Sequence, residues 1–167
     1  SFNDLFYVFI NQSAAGTLSF DPTPLKFSIK IGAADVLSTY EAEVVDLNGD
    51  DLPEIIINQF QTSHLYILRN QSTGTISFAA PQKISLPGGL NRITSGDFNE
   101  DGRPDLVTVS TLNNQMDILL NQTGTGLTAF SFAPSISMST STGPWGVDVS
   151  DIDGDGLSND LCYVDPR

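Results

Sequence analysis

The chain has 167 residues, of which 40% are hydrophobic and 9% aromatic, and its formal net charge at pH 7 is −13. This size and apolar content suit a folded domain and argue against disorder, while the acidic balance argues against nucleic acid as a partner, because phosphate binding requires clustered Lys and Arg. No apolar run approaches the roughly 20 residues that a membrane-spanning helix needs.

Short apolar strands separated by turns are predicted along the whole chain. Residues 5–11 have the pattern of the third strand of a four-stranded unit, and residues 17–29 that of its fourth strand. Two complete units follow, and residues 147–164 supply the first two strands of another. In the second complete unit we predict strands at 93–98, 105–110, 116–121 and 127–136.

Two motifs recur in alternation along the chain. The acidic motif reads DLNGDDLPEIII from Asp46, DFNEDGRPDLVTV from Asp97 and DIDGDGLSNDLCYV from Asp151, with starts 51 and 54 residues apart. The second motif is Asn-Gln-Ser/Thr followed by Gly and an apolar or aromatic run. Its asparagines are Asn11, Asn70 and Asn121. A period near fifty residues with four strands is the size of one β-propeller blade. The predicted fold is therefore all-β, with four antiparallel strands per blade.

About three blades' worth of strands are predicted, in a single propeller repeat domain over residues 1–167. Residues 1–38 are assigned to the second half of a blade, 39–88 and 89–142 to complete blades, and 143–167 to the first half of a blade. Because propellers usually close with about four to eight blades, we expect either a piece of a longer propeller or association of copies. In the second case the terminal half blades of two copies would complete each other in a ring of about six blades.

Each acidic motif places oxygen atoms at alternate positions of a loop between strands one and two. Side chains at positions 1, 3, 5 and 9 and the carbonyl at position 7 can surround Ca²⁺, which takes about six to eight oxygens. Glycine at position 6 permits the positive φ that the reversal needs. The candidate ligands in loop 1 are Asp46, Asn48, Asp50, the carbonyl of Leu52 and Glu54. Those in loop 2 are Asp97, Asn99, Asp101, the carbonyl of Arg103 and Asp105. Those in loop 3 are Asp151, Asp153, Asp155, the carbonyl of Leu157, and either Asn159 by spacing or Asp160 with one inserted residue.

The alternatives to calcium loops are EF-hands and ordinary turns. An EF-hand needs Glu at position 12 and a following helix, whereas Ile57, Thr108 and Cys162 stand there in β-type runs. Hairpin turns use the same Asp, Asn and Gly residues, but the threefold recurrence of one spacing favours metal. Loop 1 has Asp51 where Gly is expected and Glu54 in place of Asp. We therefore expect loop 1 to bind calcium least tightly, and the apolar run after loop 3 favours Asp160 as its last ligand.

These loops resemble the FG-GAP/VCBS repeat family, known from the integrin α-subunit head and from bacterial surface proteins. The resemblance implies a β-propeller with Ca²⁺ in the loop joining the first two strands of a blade, and hence up to three Ca²⁺ here. The Phe-Gly and Gly-Ala-Pro words of the family name have their nearest counterparts at residues 87–89 (PGG) and 143–146 (GPWG). These departures favour the bacterial type of repeat over a true integrin.

One repeat slot supplies candidate ligand-binding residues. Tyr40, Asn91 and Trp145 each lie six residues before the first Asp of a loop, at the entry to the innermost strand. Aromatic residues there could stack on a sugar or grip a partner, and packing between blades is the alternative. The Asn-Gln-Ser/Thr motifs are also glycosylation sequons, although a turn-forming Asn explains them equally. Cys162, the single cysteine, is expected to be a buried hydrophobic residue.

No catalytic constellation is visible in the sequence: it has no Ser-His-Asp signature, no His/Cys cluster and no phosphate-binding glycine loop. The sequence therefore predicts a non-enzymatic calcium-binding repeat module of a secreted or cell-surface protein, used for adhesion or partner binding. Its expected partner is a protein or glycan at the cell surface. The alternative function is a carbohydrate-binding, lectin-like propeller or an accessory module of a secreted hydrolase.

Overall fold

A computed structural model describes residues 5–29, 39–59 and 63–165, without the side chains of residues 39, 40 and 59. All twelve strands of this part of the chain pair antiparallel, which confirms the all-β prediction. The chain divides into two compact units, Ser1–Leu37 and Ser38–Arg167. Within the described ranges, no helix is long and apolar enough to cross a membrane.

The first unit contains one two-stranded sheet, in which β1 (Leu5–Val8) pairs with β2 (Leu25–Ser28). The rings of Phe6 and Phe27 stack across this pair with centroids 5.1 Å apart. The fourth strand predicted over residues 17–29 is therefore confined to the end of that segment. The preceding residues form a hairpin arm instead, closed by a bridge between Asn11 and Phe20.

The second unit contains two four-stranded meanders and a two-stranded sheet. The first meander runs β3 (Thr39–Val45), β4 (Glu54–Gln59), β5 (His64–Leu68), β6 (Gln82–Ser85). The second runs β7 (Arg92–Gly96), β8 (Asp105–Ser110), β9 (Gln115–Leu119), β10 (Ile136–Ser139). The two-stranded sheet pairs β11 (Gly146–Ser150) with β12 (Asp160–Val164). In each meander the strands lie side by side in chain order, as in a propeller blade.

The fourth strand of the second meander lies outside the segment predicted for it. We expected a strand over residues 127–136, whereas β10 begins at Ile136 and residues 121–132 form an arm closed by a bridge between Asn121 and Phe132. The Asn121 side chain accepts the N–H of Thr123 at 2.9 Å, and this local bond competes with ladder pairing. Pro134 then withholds an N–H just before the chain returns to the sheet.

The core lies between successive sheets, which explains why the inner strands are apolar without alternation. Ile56 of the first meander and Leu106 of the second belong to one buried cluster. A second cluster joins Val107 of the second meander to Val149 of the two-stranded sheet. Cys162, expected to be buried, is instead exposed, because β12 pairs with β11 alone among the described strands.

Candidate metal centre

The three acidic loops fold around their first carboxylate in the same way. The position 1 carboxylate accepts the backbone N–H of position 6 at 2.8 Å in loop 1, 2.7 Å in loop 2 and 2.9 Å in loop 3. The position 5 carboxylate accepts the N–H of position 7 at 3.0, 3.0 and 2.8 Å respectively. These bonds hold the side chains of positions 1 and 5 against the loop backbone in all three loops. The pairs, with the accepting carboxylate first and the donating N–H second, are Asp46 with Asp51, Asp97 with Gly102, Asp151 with Gly156, Asp50 with Leu52, Asp101 with Arg103, and Asp155 with Leu157.

Each loop contains two left-handed residues, of which the sequence pattern predicts only the one at position 6. Position 6 has φ of 66° at Asp51, 82° at Gly102 and 93° at Gly156. Position 4 is also left-handed in every loop, including Glu100 in loop 2 with φ 58°. A side chain makes this conformation costly. Loops 1 and 2 therefore each carry one strained residue, so backbone strain does not single out loop 1 as the weakest site.

The last carboxylate of each loop belongs to the first residue of the following strand and accepts a hydrogen bond from the start of the loop. Glu54 accepts the N–H of position 2 at 3.0 Å, Asp105 at 3.1 Å and Asp160 at 2.9 Å. These three residues begin β4, β8 and β12. The structure thus places Asp160, and not Asn159, in the position equivalent to Glu54 and Asp105.

The last carboxylates of loops 1 and 2 are buried, and burial disfavours their charged form. Burial raises the pKa of Glu54 to about 7; hydrogen bonds from Leu47 and Asn70 oppose the rise, and nearby aspartates add to it. Burial also raises the pKa of Asp105, against hydrogen bonds from Asn121 and Phe98. Both side chains are buried completely. A buried carboxylate beside further acids gains from a neighbouring cation.

Loop 3 brings three carboxylates close together. Ligand oxygens of Asp151, Asp153 and Asp160 all lie within 4.8 Å of one another. Loop 2 differs because Arg103 places its guanidinium 2.6 Å from Asp101. That arginine was selected for its backbone carbonyl, and its side chain supplies a positive charge that the sequence pattern did not reveal. Oxygen-only donor sets of this kind suit hard cations such as Ca²⁺.

The Asn-Gln-Ser/Thr motif supports the acidic loop, a role that was not predicted from the sequence. Asn70 donates its N–H to Glu54 at 3.3 Å, and Asn121 donates its N–H to Asp105 at 2.7 Å. Each asparagine amide also donates to the carbonyl of position 8, at 3.1 Å and 3.0 Å. The constant spacing of 16 residues between the carboxylate and the asparagine was the available signal.

The same hydrogen bonds help to decide whether the Asn-Gln-Ser/Thr motifs serve as glycosylation sites or as turns. Asn121 is buried, and its amide group donates to the carbonyls of Leu47 and Pro104 at 2.8 and 3.0 Å. Both amide hydrogens are therefore engaged in the fold, which leaves no room for a glycan on this nitrogen. For Asn121 the structure favours the turn-forming role.

The three residues of the candidate ligand slot differ in their surroundings. Asn91 is 1% exposed and its side-chain oxygen accepts a hydrogen bond from the Thr111 hydroxyl, so it packs inside the unit and is closed to a ligand from solvent. Trp145 is 40% exposed. The side chain of Tyr40 lies outside the described residues. Packing therefore accounts for Asn91, and Trp145 retains an accessible face.

Comparison with known families gives one match, and it includes loops 1 and 2 and loop 3 up to residue 159. The family model for the FG-GAP-like repeat matches residues 46–108 and 97–159. Searches of curated proteins and of solved structures found no match. Repeats of this family are generally non-catalytic modules that bind proteins. The matches together cover residues 46–159, which is more than half of the chain, so the chain belongs to the FG-GAP-like repeat family.

Proposed function

We propose that this chain is a non-enzymatic, calcium-stabilised module of a secreted or cell-surface protein and that it binds a partner, as in adhesion. The observation that carries the proposal is the clustering of carboxylates in loop 3, where oxygens of Asp151, Asp153 and Asp160 lie within 4.8 Å of one another. Bound Ca²⁺ would supply the positive charge that such a cluster lacks. The carboxylates of positions 1 and 5 in loops 1 and 2 accept the same backbone hydrogen bonds as those in loop 3, so up to three ions are proposed.

The residues proposed to hold the ions are those of positions 1, 3, 5, 7 and 9. The loop regions contain 12 of the 20 acidic residues of the chain, and three Ca²⁺ would change the formal charge from −13 to −7. None of these carboxylates is paired with His or Cys in the described residues, and their hydrogen-bond partners are mainly backbone N–H groups. This donor chemistry supports a structural role for the metal.

The proposed extracellular location follows from the metal. Calcium sites of extracellular modules bind with dissociation constants of about 10⁻⁴ to 10⁻³ M, which suits millimolar calcium outside cells. A single cysteine rules out an internal disulfide. Bound metal can replace disulfides as the staple of a secreted module.

A carbohydrate-binding, lectin-like module, or an accessory module of a secreted hydrolase, is the second candidate function. Trp145 favours it, because 40% of this aromatic side chain is exposed and could stack on a sugar ring. A glycan array separates the candidates: strong calcium-dependent sugar binding that Trp145→Ala abolishes supports a lectin. Absence of any sugar binding leaves a protein partner as the proposed target.

Thermal unfolding with calcium and with chelator tests the structural role of the metal. For a dissociation constant of about 10⁻⁴ M, millimolar calcium is about ten times that constant, and each site should stabilise the folded chain by about 1.4 kcal/mol. Asp97→Ala should remove part of this gain. Asp148→Ala, which removes an exposed acid on β11 outside the loops, should leave it unchanged. Equal melting temperatures in chelator and in millimolar calcium would contradict the proposal.

A further inference from the structure

Loop 1 is held in place by the second meander as well as by its own. The backbone N–H of Gly126 donates to the carbonyl of Asn48 at 2.7 Å, and the Asn48 amide donates to the carbonyl of Leu127 at 3.0 Å. Asn48 is 2% exposed, so solvent competes little for these two bonds. Gly126 and Leu127 belong to the arm that begins at Asn121, so an element of the second meander fixes the middle of loop 1.

The contact with Leu127 also decides which way the Asn48 amide points. A backbone carbonyl accepts hydrogen bonds and donates none, so it faces the Nδ2 atom of the amide. The other atom, Oδ1, accepts the N–H of Asp50 at 3.2 Å within loop 1. Oδ1 is the atom that a hard cation would bind. The arm therefore acts as a positioning element for the proposed ligand at position 3.

Asn121 connects loop 1 with loop 2 through four hydrogen bonds. Its amide donates to the carbonyl of Leu47 in loop 1 at 2.8 Å and to that of Pro104 in loop 2 at 3.0 Å. Its backbone N–H donates to the carboxylate of Asp105 at 2.7 Å, and its carbonyl accepts the Nε–H of Arg103 at 3.1 Å. Asp105 is itself a proposed ligand. One residue that is 1% exposed thus contacts both loops.

Loops 1 and 2 also line a common cavity of about 210 Å³. Its lining includes Asp46 and Asn48 of loop 1, Gly102 and Arg103 of loop 2, and Thr123 and Thr125 of the arm. The two loops are therefore near neighbours, and the arm lies against both.

Two effects of opposite sign act between cations bound at neighbouring loops. Repulsion between the two ions weakens the second binding step, but salt screens it over about 8–10 Å at physiological ionic strength. A shared support strengthens the second step, because an ion that orders Asn121 through one loop leaves less conformational freedom to be lost at the other. The hydrogen bonds of Asn121 are buried and escape this screening. At physiological salt we expect the shared support to dominate.

We propose that Asn121 and the arm of the second meander position loop 1 and couple it to loop 2, so that a cation bound at one loop favours binding at the other. The coupling rests on the proposed function, because it needs cations in both loops. Linkage makes it reciprocal: an ion in loop 2 raises the affinity of loop 1 by the same factor as the reverse. Such factors are typically about 5- to 150-fold, and a link made of a few hydrogen bonds suits the lower end.

Calorimetric titration of three chains with Ca²⁺ measures this factor. All three carry Asp151→Ala, which disables loop 3. The first keeps loops 1 and 2, the second adds Asp97→Ala so that loop 1 acts alone, and the third adds Asp46→Ala so that loop 2 acts alone. Independent loops would give a two-ion binding constant equal to the product of the two single-loop constants. We expect the two-loop chain to exceed that product by about five-fold or more at about 0.15 M salt.

Asn121→Ala, made in the same three backgrounds, removes the shared amide and should bring the factor close to one. Gln122→Ala is the matched control, because it changes the exposed neighbour in the same motif and should leave the factor unchanged.

A second pair of variants keeps the test decisive if Asn121→Ala does not fold. Asn48→Asp retains an oxygen ligand at position 3 but removes the donor to Leu127. Asn99→Asp makes the same change in loop 2, where the amide donates to Asp101 of its own loop. We expect the factor to fall in Asn48→Asp and to persist in Asn99→Asp.

Hydrogen exchange of the metal-free chain supplies a readout that needs no calcium. The N–H groups of Gly49 and Asp51 are both held by the Asp46 carboxylate in loop 1. Asn121→Ala should speed the exchange of these two amides. The N–H of Gly156, held in the same way within loop 3, is the reference that should not change.

The outcomes separate the coupling from the calcium sites. A two-loop constant equal to or below the product of the single-loop constants would overturn the coupling and leave the calcium sites standing. A factor that survives both Asn121→Ala and Asn48→Asp would overturn the role of the arm. Absence of calcium heats in every chain rejects the proposed function and the coupling together. Exchange then decides the positioning role, and unchanged exchange of the loop 1 amides in Asn121→Ala would overturn that as well.

Discussion

The buried carboxylate of Glu54 should give the metal-free protein an unusual dependence of stability on pH. Burial raises its pKa from 4.5 to about 7. A carboxyl group whose folded-state pKa is raised contributes stability that is complete below its unfolded pKa and is lost as pH rises through the folded pKa. The free energy of unfolding should therefore fall between about pH 4.5 and 7, by up to about 3 kcal/mol from this group.

Calcium should reverse the sign of this slope. A cation bound beside Glu54 favours the ionised carboxylate and so lowers its pKa. With calcium present, stability should rise or stay level over the same pH window, and proton release should accompany binding. The assay is urea unfolding at half-unit pH steps, in chelator and in calcium.

A matched variant isolates the contribution of the Glu54 carboxyl to the pH dependence of stability. Glu54→Gln has no ionisable carboxyl, so its metal-free slope should shrink to what remains from Asp105, whose pKa is also raised by burial. The absolute stability of this variant is a poor readout, because Glu54 accepts N–H groups on both oxygens and the amide can accept on one. A metal-free stability that is flat or increases from pH 4.5 to 7 in the wild type would refute the reasoning.

Two further predictions concern the loop backbone and the supporting asparagine. Gly156→Ala should lower the free energy of unfolding by about 1–2 kcal/mol from backbone strain alone, because φ is 93° and a Cβ there meets nothing within 4 Å. Ser158→Ala in the same loop should leave the free energy of urea unfolding unchanged. Equal effects of the two variants would contradict the left-handed geometry. Asn121→Ala should lower the free energy of unfolding by about 1–3 kcal/mol, because two carbonyls lose their hydrogen-bond donors. Gln122→Ala, at an exposed position of the same motif, should change the free energy of unfolding little. Equal losses for these two variants would contradict the support role of the asparagine.

The recurrence of two motifs was enough to predict the blades and the loops. Strands β4 and β8 are short β-branched runs that follow an acidic loop, and their local pattern matches their buried place between sheets. The placement of Asp160, and not Asn159, at the position equivalent to Glu54 and Asp105 was also expected from the sequence, because the apolar run after it keeps its phase only with one inserted residue. Its role as a metal ligand stays a prediction. These features depend on local residue order, which the sequence displays directly.

The features that were missed depend on contacts between segments. The fourth strand was placed too early because the apolar residues of the arm resemble a strand, although Asn121 and Thr123 divert the backbone hydrogen bonds. Cys162 has the apolar neighbours of a core residue, but its burial depends on which strands surround β12. The left-handed φ of Glu100 was not foreseen because no glycine marks that position.

Calorimetric titration of the metal-free chain with calcium tests the central claim most directly. We predict saturable binding of up to three ions per chain, and the loss of one ion in each of Asp97→Ala and Asp151→Ala. Asp148→Ala, which removes the same charge outside the loops, should retain the wild-type stoichiometry. Heats no larger than those of dilution at millimolar calcium, or equal binding by the loop variants and the control, would contradict calcium binding at these loops.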